Sequence, residues 1–304
     1  MNDEDLPVWR SMLYVPVNVE IYVSTAHTRG ADAIILDLED SIAVADKASA
    51  RELVADAAAR VGRGGADILV RINRPLDLAV RDIETAVSPA VRALMVPKVD
   101  SASHVRLLAE VAATAEARAG MPQGSTRFVV MVETAEAFAR AYEIAAAHRR
   151  NVGITLGGED FALATGSQPD PDVLLYPKQQ IIFAAVAAGI MPLGVIGTVA
   201  SYQDVEAYRE TIARSRRFGF VGAGCIHPAI VPLLNAGFQP TEAEIESADR
   251  IIAAFDEAEG AGRASAQVDG KMIDIPVVER ARRLLASAAR AKAKDSQAAR
   301  VETA

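Results

Sequence analysis

Cysteine is almost missing from this chain of 304 residues, which contains only Cys225. A single cysteine permits no intrachain disulfide and no thiolate metal cluster, so any bound metal must be held by oxygen or imidazole ligands. Carboxylates are therefore the main candidates. Cys225 has hydrophobic neighbours, and we interpret it as a buried thiol rather than a nucleophile.

Long apolar runs are missing as well. No segment approaches the roughly 20 uninterrupted apolar residues that a membrane span needs. The first five residues are acidic in character, where a secretory signal would be basic. These features predict a cytoplasmic protein with no membrane association.

Positive charge is outnumbered by negative charge outside the C-terminus. The formal net charge is −8, and residues 277–304 carry seven basic and three acidic residues, so the remainder is more acidic still. This balance argues against nucleic acid as a partner. We interpret the basic segment as a solvated helix with a frayed end, and contact with an anionic partner is the alternative.

Short β-branched runs alternate with alanine-rich segments along the whole chain, which is typical of a parallel sheet with crossover helices. Eight such units predict a closed (β/α)8 TIM barrel. An open doubly wound sheet is the alternative, but a glycine-rich loop usually follows its first strand, and none is found here. The strands are predicted at Met12–Val15, Ala33–Asp37, Ile68–Ile72, Ala93–Val96, Phe128–Glu133, Val152–Leu156, Leu193–Gly197 and Phe218–Ile226.

Capping signals mark two of the later helices. Ser201–Asp204 resembles a capping box, and the helix that follows is expected to end before Gly219. Thr241–Glu244 is a full capping box, with Gly260 as the expected stop. A last helix is predicted near Pro276–Ala289.

The helices beyond the eighth strand predict a C-terminal extension. We assign residues 1–235 to the barrel and residues 236–304 to the helical extension, with a flexible tail from about residue 290. The active site of a (β/α)8 barrel forms at the C-terminal ends of its strands. Polar residues that close the strands are therefore the candidates for function.

Five carboxylates and two cations occupy these strand ends: Asp37, Glu39, Asp40, Glu133, Asp160, Arg71 and Lys98. Carboxylates gathered at one mouth repel each other, and a hard divalent cation such as Mg²⁺, or alternatively Mn²⁺, relieves this with one or two carboxylates plus water and substrate oxygens. Asp37 and Asp40 could equally cap the following helices or pair with Arg71. For Glu133, which ends an apolar strand, an uncompensated charge would be costly.

Arg71 is the natural clamp for a substrate carboxylate, because its planar fork makes bidentate bonds. A salt bridge to Glu39 or Asp40 is the alternative and is compatible with the clamp. Gly157 and Gly158 either let backbone N–H groups approach an anionic substrate or simply form a tight turn.

His227 closes the eighth strand. It could act as a base, but we interpret it as a neutral ring that is hydrogen-bonded beneath the site. No nucleophile-elbow motif is found, so hydrolysis through a serine is disfavoured.

These residues belong to segments that resemble the citrate lyase β-subunit (CitE-like) family of the HpcH/HpaI aldolase superfamily. The resemblance covers nearly the whole chain in the right order, which is more specific than any single motif. It rests on residues 10–16, 30–40, 70–73, 132–134, 158–161, 219–220, 226–228 and 270–274.

The resemblance implies a Mg²⁺-dependent lyase that cleaves or forms a carbon–carbon bond in a 3-hydroxyacyl-CoA such as malyl-, citramalyl- or citryl-CoA. The products of cleavage would be acetyl-CoA and a 2-keto acid or oxaloacetate. By position, Glu133 and Asp160 match the metal ligands, and Arg71 matches the residue that binds the keto acid carboxylate. Asp274 matches an acid that enters a neighbouring subunit's site, which implies a homotrimer or a larger homo-oligomer.

The reaction needs a base, an acid and groups that orient the substrate. Glu39, Asp40 or a metal-bound water would remove the hydroxyl proton, and Asp274 would protonate the enolate. Arg71 would orient the carboxylate together with the backbone of the segment that contains Gly157, Gly158 and Glu159.

Three departures from the family pattern count against the simplest transfer of its function. Val17 stands where relatives carry glycine, and Thr25 and Ala223 stand where they usually carry lysine. The missing lysines imply that contacts to the CoA phosphates are lost. The alternative functions are therefore an aldolase on a free hydroxy acid, an acyl-CoA thioesterase with the same metal site, and a non-catalytic keto acid-binding protein. Asp274 argues against the last, because a binding protein needs no proton donor.

Overall fold

Eight parallel strands are the central element of the computed structural model, which describes residues 6–198 and 203–302. They pair in the order β7-β6-β5-β4-β3-β2-β1-β8. Only a bridge between Leu193 and Gly222 and flanking backbone hydrogen bonds join the two ends. The arrangement is the predicted (β/α)8 barrel, with sparse pairing at this seam. The strands are β1 (Ser11–Pro16), β2 (Ala33–Asp37), β3 (Asp67–Arg71), β4 (Ala93–Val96), β5 (Arg127–Val132), β6 (Asn151–Leu156), β7 (Met191–Leu193) and β8 (Ala223–Cys225).

The last two strands are shorter than predicted. The seventh ends at Leu193 rather than Gly197, because Gly194 has a φ of 144° and turns the chain out of the strand. The eighth begins at Ala223 rather than Phe218, since Phe218 still belongs to the preceding helix. β2 and β4 have the predicted bounds.

Helices surround the barrel. Side chains on alternate positions of each strand point to opposite faces, so residues such as Leu36 and Val70 pack against the helices while Ile35 and Leu69 fill the interior. The helices of this part are α1 (Glu20–Ala26), α2 (Lys47–Glu52), α3 (Val54–Val61), α4 (Leu76–Ala86), α5 (Ala102–Arg118), α6 (Ala135–Ala139), α7 (Ala141–Ala145), α8 (Gly158–Thr165), α9 (Pro171–Ala188), α10 (Val205–Phe218) and α11 (Val231–Gly237).

The N-terminal cap of α10 is Asp204, whose side chain accepts hydrogen bonds from the N–H groups of Glu206 and Ala207 at 3.1 Å. Ser201, the predicted start of this cap, lies outside the described residues. Gly219 ends the helix as predicted, with a φ of 115°.

The chain divides into two compact units, Met1–Phe238 and Gln239–Ala304, close to the predicted division after residue 235. No helix of the described residues is both long and apolar enough to cross a membrane. The second unit consists of α12 (Glu242–Gly260), β9 (Ala266–Val268), β10 (Lys271–Ile273) and α13 (Ile275–Glu302).

The second unit differs from prediction in two places. The capping box at Thr241 and Glu244 is present, but the antiparallel pair β9-β10 was not predicted. Its turn, Asp269-Gly270, has positive φ at both residues and is a hairpin signal in the sequence. The last helix runs on to Glu302, through the residues for which a tail was predicted, because alanine, lysine and arginine are strong helix formers.

A buried ion pair stabilises the first unit between α5 and β6. Arg150 donates to both oxygens of Glu116 at 2.6 and 2.7 Å, and the N–H groups of Gly124 and Thr126 also donate to this carboxylate. Burial alone would raise the pKa of Glu116, but these hydrogen bonds outweigh it and lower the pKa to about 2.

We expect Glu116→Gln to destabilise the protein by about 3 kcal/mol at neutral pH, because Arg150 loses its charged partner. The pKa of Glu116 is lower in the folded state, about 2, than its ordinary value of 4.5. Its stabilisation is therefore complete above pH 4.5 and is lost as the pH falls towards 2. Urea unfolding between pH 7 and pH 3 measures this, with the exposed Glu110→Gln on the same helix as control. Parallel pH profiles of wild type and Glu116→Gln would refute it.

Candidate active site

The carboxyl ends of the strands open into a cavity of about 880 Å³. Most of the residues predicted for the site line it: Asp37, Asp40, Arg71, Glu133, Gly157, Gly158, Glu159 and Asp160. Glu39 and Lys98 join this group through ion pairs. The convergence predicted from the strand ends is therefore present.

Arg71 and Asp37 end neighbouring strands in register and form the best-connected pair of the site. The Nε and Nη2 atoms of Arg71 donate to the two oxygens of Asp37 at 2.7 Å. Asp37 also accepts from the N–H of Glu39 and from the N–H and hydroxyl of Ser41. Burial raises the pKa of Asp37, but Arg71 and Ser41 outweigh it, so the pKa lies below its usual range. Asp37 therefore anchors Arg71, one of the two alternatives left open by the sequence.

The remaining edge of Arg71 faces two further acids. Its Nη1 atom lies 2.9 Å from Glu39 Oε2 and 3.2 Å from Asp40 Oδ2. A substrate carboxylate would compete with Asp40, whose side chain is 53% exposed, rather than with Asp37. The role of Arg71 as a substrate clamp stays a prediction, now limited to this edge.

Glu133 follows β5 directly and is buried, with 2% of its surface exposed. Its Oε2 accepts a hydrogen bond from the Lys98 N–H at 2.5 Å. Burial, and then repulsion from Glu39 and Asp160, raises the pKa of Glu133 to about 7 although Lys98 lowers it. A carboxylate with this pKa in a cavity marks a candidate functional group.

Gly157 makes room for Glu133. A Cβ atom at position 157 would lie 2.5 Å from Glu133 Oε1 and 2.6 Å from its Cγ. The φ of Gly157 is −75°, which any residue adopts. Gly157 therefore provides the space that the Glu133 side chain fills, and the approach of its backbone N–H to an anionic substrate stays a prediction.

Lys98 connects the acids of the site. It has a φ of 48°, an unusual conformation for a residue with a side chain, and its N–H donates to Glu133. Its Nζ lies 2.7 Å from Glu39 Oε1, 3.2 Å from Asp40 Oδ1 and 3.8 Å from Asp160 Oδ1. Lys98 therefore contacts four carboxylates, one through its backbone N–H and three through its Nζ atom.

Glu39 and Asp40 were both candidates for the base. Burial raises the pKa of Glu39 despite the opposing effect of Arg71, but its two oxygens are engaged by Lys98 and Arg71. Burial also acts on Asp40, but its hydrogen bond with Glu39 and its two cationic neighbours lower its pKa. Asp40 lines the cavity and is the more accessible of the two.

The acids at the centre of the site fit a hard divalent cation. Within the part of the chain that the structure describes, no group of three or more His, Cys, Asp or Glu residues is arranged to hold a metal ion. Glu133 and Asp160 supply two carboxylates, and Mg²⁺ takes one or two together with water and substrate oxygens. A positive charge beside Glu133 would also offset the burial and repulsion that raise its pKa.

Two residues of the cavity were missed in the sequence. Tyr14 donates its hydroxyl to the sulfur of Met95 at 2.9 Å, and its ring lies 5.1 Å from the guanidinium of Arg71. Burial raises the pKa of this phenol. Its place on the interior face of β1, two residues after Met12, was a signal for an inward polar group.

The second missed residue is Lys178 of α9. It is 3% exposed, and its Nζ donates to the carbonyls of Val195 and Gly197 in the segment after β7. Burial lowers the pKa of Lys178 to about 8. Its spacing from the buried Leu174 and Ile181 placed a lysine on the apolar face of the helix, which is rare and was readable from the sequence.

Three other predicted residues have defined positions. Cys225 is buried, and burial raises the pKa of its thiol to about 12, so it is no nucleophile at neutral pH. His227 lines the cavity, and its Nδ1 accepts from the Ala229 N–H at 3.2 Å. Asp274, in the second unit, accepts from the Val277 N–H at 3.4 Å and caps α13. Its role in a neighbouring subunit stays a prediction.

Fold and site together define a class, the (β/α)8-barrel proteins with an acidic site that fits a metal ion at the strand ends. Residues 10–228 match the HpcH/HpaI aldolase/citrate lyase family. The chain belongs to this family.

Relatives of two kinds cover nearly the whole chain. Citrate lyase subunit beta of Leuconostoc mesenteroides subsp. cremoris is 36% identical over 289 residues, 94% of each chain. The (3S)-malyl-CoA thioesterase of Cereibacter sphaeroides (strain ATCC 17029) is also 36% identical, over 92% of this chain and 94% of its own.

Solved structures agree. CitE from Mycobacterium tuberculosis in complex with magnesium, acetoacetate and coenzyme A has a TM-score of 0.73 at 28% identity, covering 94% of this chain and 99% of CitE. The citrate lyase beta subunit of the same organism, complexed with oxaloacetate and magnesium, has a TM-score of 0.61 at 29% identity, covering 79% and 100%.

Proposed function

We propose that this protein is a Mg²⁺-dependent carbon–carbon lyase of a 3-hydroxyacyl-CoA such as malyl-, citramalyl- or citryl-CoA. One observation carries the proposal: Glu133, a buried carboxylate, lines a large cavity together with Asp160, and Lys98 contacts both. Citrate lyase β-subunits are relatives over nearly the whole chain, and solved relatives contain magnesium with oxaloacetate or coenzyme A. These likenesses support the same chemistry here.

Each step of the cleavage has a residue of this chain assigned to it. Mg²⁺ held by Glu133 and Asp160 would stabilise negative charge on the substrate oxygens. Arg71 and the N–H groups at the start of α8 orient the keto acid carboxylate. Asp40 accepts the proton of the 3-hydroxyl group while the bond between C2 and C3 breaks.

The electron pair of that bond passes to the thioester fragment, which leaves as the enolate of acetyl-CoA. Asp274 then protonates its terminal carbon and gives acetyl-CoA. In the direction of condensation the same groups act in reverse, with Asp274 as base and Asp40 as acid.

The test is direct. Purified protein is incubated with Mg²⁺ and malyl-, citramalyl- or citryl-CoA, and acetyl-CoA and the keto acid are followed by liquid chromatography. We expect both products in equal amounts, and their loss when EDTA is added. No turnover of any of these thioesters would refute the proposal.

The relatives named (3S)-malyl-CoA thioesterase favour a second candidate, hydrolysis of the thioester in the same site. The products formed from malyl-CoA distinguish the lyase from the thioesterase. A lyase gives glyoxylate and acetyl-CoA, whereas a thioesterase gives malate and free CoA.

We expect Asp274→Asn to lower kcat about 100-fold, because the enolate loses its acid. Asparagine is as good a helix cap as aspartate, so the melting temperature should stay within about 2 °C. Unchanged kcat would show that Asp274 only caps α13.

We also propose a cytoplasmic homotrimer or larger homo-oligomer in which Asp274 serves a neighbouring subunit. Mixed oligomers of Asp274→Asn with a second inactive variant, Glu133→Gln, then contain some sites with both native residues. Recovered activity after mixing and reassembly supports this shared site. If the mixture shows only the sum of the near-zero activities of the two variants, the shared site is contradicted.

A further inference from the structure

One face of α1 and the turn after it lines the cavity. Ile21, Tyr22, Thr25 and Arg29 all belong to this lining, and their spacing places them on one side of a helical path. Ile21 is 69% exposed and Tyr22 is 55% exposed. Ile226, which is 49% exposed, lines the same cavity. Exposed large apolar side chains in a cavity are typical of a ligand-binding surface.

Arg29 is the available cation of this cavity. Among the residues that the structure describes, the cavity is lined by three lysine or arginine side chains, Arg29, Arg71 and Lys178. Asp37 holds Arg71, and the carbonyls of the segment after β7 hold Lys178. The side chain of Arg29 is exposed and makes no hydrogen bond or ion pair with the described residues.

Few other parts of this cavity can bind an anionic ligand group. Asp37, Asp40, Glu133 and Asp160 line it at the strand ends, and they repel a phosphate. Arg29 follows the C-terminal end of α1 and takes part in none of the ion pairs of these acids, whose described partners are Arg71 and Lys98. A guanidinium also pairs well with phosphate oxygens.

We propose that Arg29 binds a phosphate group of the CoA carrier of the thioester, with Ile21, Tyr22 and Ile226 against its less polar parts. The proposal rests on the function proposed above. It assigns the phosphate contact to Arg29, four positions after Thr25. Thr25 lies on the same side of this helical path but has a neutral side chain. Arg29 thereby sets the preference for a CoA thioester over a thioester without phosphates.

The test compares two thioesters with the same acyl group, one of CoA and one of pantetheine, which has no phosphate. We expect Arg29→Ala to raise KM for the CoA thioester about tenfold at low ionic strength, the loss of one charge-assisted hydrogen bond. Its kcat should stay unchanged, and so should both constants for the pantetheine thioester. The control is Arg81→Ala, an exposed arginine of α4 outside the cavity lining, with wild-type constants for both substrates.

Three results would overturn the proposal. The first is an unchanged KM for the CoA thioester in Arg29→Ala, and the second is an equal rise for both thioesters. The third is a change in oligomer mass by light scattering, which would mean that a second copy covers this face. If wild-type protein turns over no thioester, the lyase proposal fails by itself, and calorimetric titration with CoA still tests Arg29. Binding to wild type that Arg29→Glu weakens at least tenfold supports it, and equal binding refutes it.

Discussion

Replacing Glu133 by glutamine is expected to lower Mg²⁺-dependent turnover about 1000-fold or more. The change removes one of two carboxylates proposed to hold the ion, and metal stabilisation of developing charge is worth several kcal/mol. Magnesium affinity, measured by calorimetric titration, should fall with it. Steady-state rates at saturating Mg²⁺ separate loss of affinity from loss of catalysis.

The same substitution should stabilise the protein when no metal is bound. The pKa of Glu133 is about 7 when folded, above its ordinary value of 4.5. The charged form is therefore disfavoured in the fold, and stability falls as the pH rises from 4.5 through 7. Above pH 7, Glu133→Gln should be more stable than wild type by about 3 kcal/mol in EDTA.

The matched control is a second glutamate-to-glutamine substitution, made away from the site. Glu143→Gln changes an exposed glutamate of α7 and should leave rate, affinity and stability unchanged. If Glu133→Gln kept wild-type Mg²⁺ affinity, the assignment of this residue as a ligand would be wrong. If Glu133→Gln unfolded more readily than wild type in EDTA at pH 8, the explanation of the raised Glu133 pKa by burial and repulsion would be wrong.

Gly157→Ala is expected to lower kcat/KM about 100-fold. The added methyl would lie 2.5 Å from Glu133 Oε1, so the carboxylate must move by about 1 Å, and misplacement on this scale costs about that factor. Gly62→Ala is the control, because its Cβ would meet its nearest neighbour at 3.7 Å. Full activity and unchanged Mg²⁺ affinity in Gly157→Ala would show that Glu133 can shift without cost.

The parts of the site that were predictable are those set by strand periodicity. Glu133 and Arg71 end apolar runs, and parallel strands bring their carboxyl ends to one mouth, so local patterns were sufficient to place them together. The register of Asp37 with Arg71 follows from the same geometry. Which acid would hold Arg71 did not follow, since Asp37, Glu39 and Asp40 lie within four residues.

The parts that were missed depend on contacts between distant segments. A glycine is required at position 157 because the side chain of Glu133, 24 positions earlier, packs where a Cβ atom would lie. No local sequence pattern indicates this close contact. The bounds of β7 depended on a glycine conformation that a hydrophobic run does not reveal. Lys178 and Tyr14 did leave local signals, a lysine on a buried helix face and a phenol on an inward strand position.

The contacts of Lys98 have a consequence for the order of binding. Asp37, Glu39, Asp40, Glu133 and Asp160 outnumber their three cationic neighbours Arg71, Lys98 and Lys47. An anionic keto acid that approaches this mouth alone meets net negative charge and is repelled. A divalent cation reverses that local balance, so each ligand raises the affinity for the other by the same factor. We therefore expect cation and substrate to bind cooperatively, because the acidic mouth repels a lone anion.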